Sequence, residues 1–224
     1  MRDPLQTYIF TKKIYLTFLA LVFLFTGISQ CPSGEQVEKK ISRIIKSPSL
    51  SGGKKLQLFY DFKKEADDCN IARDSVYAWL LSRIGLYEYN LNKNYGSCIE
   101  LTLESVRINS LARDKGSKIG KINDYINLGY YYRDIFQYSR SLSCCDSAIA
   151  IAGKFRDTYN NAIVEAKIIK TNVYFYSGDY QKCIEESTKG IEYTLNKKDT
   201  INYVEFLIQR IQSLFYQNKL KETF

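Results

Sequence analysis

The residues best equipped for chemistry stand close together, with Tyr130-Tyr131-Tyr132 followed by Cys144-Cys145. Phenols and thiols serve radical or redox transfer, aromatic faces serve a binding platform, and both types also serve plain packing. Metal ligation lacks the right spacing: no Cys-x-x-Cys occurs, and two adjacent cysteines on a helix point about 100° apart. His is absent from all 224 residues, which removes the commonest general base and a leading zinc ligand. No nucleophile, base and orienting group share a motif, so the sequence assigns no catalytic, cofactor-binding or metal residue. An enzyme of unrecognised type is the last of the readings.

The elements that hold these residues decide among the three uses. Asn94-Tyr95, Gln137-Tyr138 and Asp179-Tyr180 recur at spacings of 43 and 42 residues. Six residues before each second member stand Tyr89, Tyr132 and Tyr174. Three residues after it come Cys98, Ser141 and Cys183, seven after it Thr102, Cys145 and Ser187, and ten after it Ser105, Ala148 and Gly190. All nine are small, and offsets of three, seven and ten trace one face of a helix. Each unit is therefore a helix, a tight turn and a second helix whose small face admits a neighbour closely. Tyr125, Tyr132 and Tyr138 fall in repeat-defining columns and read as packing residues, with Tyr130 and Tyr131 less constrained. Cys98, Cys145 and Cys183 read as compact buried hydrophobes.

These columns resemble the tetratricopeptide-repeat family. Tyr125, Leu128, Gly129, Tyr132, Tyr138, Ser141, Cys145 and Ala148 follow that family's large-Leu-Gly-Tyr-Tyr-Ala-aromatic-Ala pattern, and Gly178-Asp179-Tyr180 matches its turn. A period near 42 is similar to the longer kinesin-light-chain type. Three departures stand out: Lys170 where Leu is usual, Leu86 where Gly or Ala is usual, and no closing Pro. The resemblance covers about residues 72 to 220 and implies an all-α protein, a right-handed α-solenoid of antiparallel helix pairs.

Helices are expected at 35–46 and 54–69 as a weak first pair, then 72–92 with 94–113, 118–135 with 137–154, 158–177 with 179–195, and 199–217. No proline follows Pro48, and Pro48 with Ser51-Gly52-Gly53 breaks the first pair. The domains read as 1–29 signal peptide, 30–71 weak N-terminal helix pair, and 72–224 repeats with the last one incomplete.

Arg2, Lys12 and Lys13 precede the uncharged apolar run from Ile14 to Ile28, and small residues follow at Gly27 and Ser29. That pattern is a secretory signal, with cleavage expected before Gln30. The run is shorter than the roughly twenty residues of a bilayer span. Ile28-Ser29-Gln30-Cys31 resembles a bacterial lipobox apart from Gln30, so lipidation at Cys31 is the alternative, with a membrane tether at the N-terminus. Export permits disulfides between cysteines on adjacent helices. The formal charge of +8 comes from scattered pairs such as Lys39-Lys40 and Lys197-Lys198, which suit solvated helix faces, so no nucleic-acid partner is expected.

The sequence thus reads as a non-enzymatic protein- or peptide-binding repeat module of the bacterial cell envelope, periplasmic or membrane-anchored. The alternative is the N-terminal sensor region of a two-component histidine kinase or transcriptional regulator. The resemblance implies that the first helix of each pair lines a concave groove, at positions that here are Arg83 and Tyr87, then Asn127, Tyr130 and Arg133, then Asn172 and Tyr176. Planar donors and aromatic area suit a protein or peptide partner there. Ile201, Val204, Leu207, Ile208, Ile211, Leu214 and Phe215 make an amphipathic final helix, so association through residues 201–216 is also expected. A turn at Gln217-Asn218-Lys219-Leu220 and a further helix should follow.

Overall fold

The computed structural model describes residues 31–69, 74–112, 114–155 and 160–223. The signal-peptide expectation lies outside these residues, as do the expected helix starts at 72 and 158. Among the described residues every regular element is helical: α1 (Gly34–Lys46), α2 (Gly52–Asp68), α3 (Ser75–Tyr87) running into a π-turn (Glu88–Asn92), α4 (Tyr95–Leu111), α5 (Lys115–Asp134), α6 (Tyr138–Ala152), α7 (Asn160–Tyr176), α8 (Tyr180–Asn196) and α9 (Thr200–Thr223). Each helix packs on the next. The first members of the pairs, α1, α3, α5, α7 and α9, also touch in succession.

Capping explains the helix starts. Ser33 and Gln36 form a reciprocal box at α1, and the side chains of Ser51, Asp74, Asn94, Asp114 and Asp179 each accept a backbone N–H of the first turn they precede. The turns within the pairs α3–α4, α5–α6 and α7–α8 share one geometry. A left-handed residue, Lys93, Phe136 or Gly178, precedes Asn94, Gln137 or Asp179. In the second and third, an amide reaches back five residues, Gln137 N to Tyr132 O at 2.8 Å and Asp179 N to Tyr174 O at 2.9 Å. The connection from α8 to α9 repeats this device, with Lys198 left-handed and Asp199 N bonded to Thr194 O at 3.0 Å. It is therefore as tight as a turn within a pair.

The small columns lie inside. Cys98, Ser141, Cys183, Thr102, Cys145, Ser187 and Ser105 are fully enclosed, with Ala148 and Gly190 also buried. Their polar atoms bond across the pair, Ser141 Oγ to Gly129 O at 2.7 Å and Cys183 Sγ to Thr171 O at 3.3 Å. A Cβ on Gly129 would come within 3.1 Å of Cys145 Sγ, so glycine sets how closely α5 and α6 approach.

Two sequence departures gain physical reasons. In the first repeat the close approach falls on Gly85, whose Cβ would lie 2.8 Å from Thr102 Oγ1, one position before the expected column at Leu86. The π-turn at Glu88–Asn92 takes up one residue more than an α-turn and restores the register at Asn94, where the reach-back bond spans six residues, Asn94 N to Glu88 O. Lys170 replaces Leu as a largely covered side chain whose ammonium pairs with the exposed Asp146 at 2.7 Å. One expectation needs correcting: α9 continues through the proposed turn at 217–220 as far as Thr223.

Candidate partner-binding surface

The row of first helices contains a cleft of about 320 Å³ between α1, α3 and α5, lined by Glu38, Val76, Trp79, Ile119 and Asn123 among others. Trp79 is the only tryptophan of the chain. Sequence reasoning missed this cleft because its walls come from three helix pairs, and no column pattern reports where three helices diverge. One turn beyond Trp79 lies Arg83, its guanidinium 5.9 Å from the indole centroid. Tyr87 follows another turn on and packs edge-on against Phe59 at 5.5 Å. Asn127 on α5 is half-buried.

The other proposed groove residues divide. Tyr130 and Arg133 come together, with the guanidinium 5.1 Å over the ring. Arg133 is also forked onto Asp134, Nε at 2.8 Å and Nη2 at 2.6 Å, and Asp134 accepts the Tyr89 hydroxyl at 2.6 Å. That network commits much of Arg133's donor capacity inside the chain, so it braces the Tyr130 ring. Burial, reinforced by Glu165, pushes the Tyr130 hydroxyl well above its ordinary value. Asn172 is buried at 9% exposure, whereas Tyr176 is 61% exposed against Phe175.

Beneath the cleft a polar layer joins α3, α4 and α5. Asp124 is enclosed and accepts the Ser105 hydroxyl at 2.6 Å and the Asn109 amide at 3.2 Å. Burial raises its carboxyl to about 6, against the opposing pull of Ser105, Ser82, Asn109 and the positive charge of Arg83. Burial in turn lowers the Arg83 guanidinium, with Asp124 opposing that shift, and Arg83 Nε is enclosed without a hydrogen-bond acceptor. The Arg83 charge is thus tied electrostatically to the interior beneath the cleft.

The tyrosine and cysteine run takes part mainly as core. Tyr131 is fully buried and meets Tyr89 at 4.7 Å between centroids, so it is more constrained than its column suggested. Burial pushes the Cys144 thiol to about 11 and Cys145 to about 12. Both stay protonated at neutral pH, which makes them weak nucleophiles. Cys31 and Cys69 form a disulfide with Cα atoms 5.5 Å apart, joining the start of α1 to the end of α2. No group of metal-ligating side chains occurs among the described residues, and none of the described helices is long and apolar enough to cross a membrane.

No protein-family model matches the chain, and no curated protein matches it in sequence. What the geometry defines is a class, an all-helical protein of serially packed helix pairs.

Proposed function

We propose that the chain is a non-enzymatic protein- or peptide-binding module of the bacterial cell envelope, a right-handed solenoid of tetratricopeptide-like helix pairs. The carrying observation is the unbroken row of first helices, which sets Trp79, Asn123, Asn127, Tyr130 and Tyr176 on successive elements. An indole wall, amide side chains and braced phenols suit an extended polypeptide, since amides pair its backbone and rings bury its side chains. Arg83 and Arg133 act beneath this surface as supports.

The disulfide bears on localisation. One sulfur atom cannot hold both a lipid thioether and a bond to Cys69, so the pairing of Cys31 favours an exported, unlipidated chain in an oxidising compartment. Intact mass of the mature protein reads this directly, as a loss of two hydrogens or the gain of a lipid.

Binding is tested by selecting peptides from a random displayed library on the immobilised mature chain and titrating them against Trp79 fluorescence. Asn127→Ala and Tyr176→Ala should each weaken the selected peptides about tenfold, the effect of losing roughly 1.4 kcal/mol. Peptides that bind the two variants and the parent equally would place recognition elsewhere.

A further inference from the structure

The last helix is turned inside out. Toward the protein, α9 presents Phe206 and Ser213, both fully buried, and Gln209 Oε1 and Arg210 Nε are enclosed as well. Phe206 seats on Gly190, where an added Cβ would come within 2.5 Å of the ring. The apolar ridge faces away: Ile201 is 82% exposed, Val204 48%, Ile208 47%, Ile211 56% and Phe215 54%.

The spacing along this ridge is three, four, three and four. That is the alternation of a and d positions in a coiled-coil heptad, and Phe206 and Ser213 then share the f position on the opposite side. The helix therefore has two separate faces, one docked on its own chain and one shaped for another helix.

We propose that this second face pairs with the same face of a second copy of the chain, α9 against α9 about a twofold axis. A seam of heptad period calls for a partner helix of equal period and length, and the same chain supplies one. The flanking positions, Glu205, Leu207, Gln212 and Leu214, carry a single charge, so the pattern holds no charge code for a different partner. Leu214, at 39% exposure, broadens the seam. The five seam residues are 47% to 82% exposed over about four turns of helix, apolar surface of the order that a stable protein interface buries, about 800 Å² on each side. An exposed patch of that size on a monomer marks an interaction site, and an isologous pair covers both copies at once.

Sedimentation of the mature chain over about 1–200 μM tests the proposal. The mass should double across that range. Ile208→Asp should hold it at the single-chain value, with helical content unchanged and a melting temperature equal to that of the parent in dilute solution, because the side chain points away from its own core. Leu103→Asp, on the exposed side of α4, should leave the doubling intact and controls for added charge. A chain that stays single at every concentration would assign the seam to something else and overturn the pairing. A dimer that survives Ile208→Asp would overturn it equally. Neither outcome touches the groove reading, which involves other helices.

Discussion

The central pair, α5 with α6, and the final helix α9 use similar residues in opposite ways. In the pair, Leu128, Tyr131, Ile122 and Ala148 are all buried, Ile122 and Ala148 in a cluster shared with α7, Leu128 and Tyr131 in one shared with Cys98 of α4. In α9 one aromatic, Phe206, turns inward, and four β-branched residues turn out. The difference shows that the small-residue face of a preceding helix decides which side of its neighbour is admitted. Gly190 on α8 leaves a slot that Phe206 fills, whatever the remaining surface of α9 carries. Apolar surface left over after such docking is surface for another molecule.

Substitution at the two places should therefore differ most. Tyr131→Ala should cost about 3–5 kcal/mol of folding stability in chemical denaturation, the range for deleting a large enclosed ring. Ile208→Ala should cost less than about 0.5 kcal/mol at low concentration, where only the exposed surface changes. Comparable losses at both would erase the distinction between core and seam.

A second contrast sets the N-terminal pair beside the central one. The Cys31–Cys69 bond closes 38 residues of chain. Its reduction should loosen α1 and α2 by about 2–4 kcal/mol. The cysteines of α6, Cys144 and Cys145, are free thiols, so amide protection in α5 and α6 should be unchanged by reductant. Equal loss in both pairs would mean that they unfold as one unit.

A smaller effect concerns pH. The Asp124 carboxyl is raised to about 6 in the fold from an ordinary 3.8. Between about pH 4 and pH 6 the folded state keeps a proton that the unfolded chain has released, so stability from this group is present below that window and falls as pH rises through it. Asp124→Asn should flatten that slope in denaturation midpoints, and an unaltered slope would place the dependence on other groups.

Much of this organisation is legible in the sequence. Recurrence of Tyr95, Tyr138 and Tyr180 locates the turns, and small residues at fixed offsets locate the buried faces, because close helix approach leaves no room for anything larger. The shift from Leu86 to Gly85 was hidden, since a π-turn changes register without changing composition. Tyr131 reads as less constrained than the column tyrosines because its contact with Tyr89 crosses from one helix pair to the next. The residues expected along the groove do not include Glu38 or Trp79, whose cleft arises where α1, α3 and α5 diverge. The α9 seam was visible as an apolar ridge, yet only the seating of Phe206 on Gly190 reveals that the ridge points away.

Hydrogen exchange measured as a function of protein concentration tests the contrast between core and seam most directly. Amides of α5 and α6 should be equally protected at low and high concentration, because their partners lie within one chain. Amides at 201–216 should exchange more slowly as concentration rises, by the factor expected from the fraction paired. Protection of α9 that is complete in dilute solution and indifferent to concentration would contradict the account.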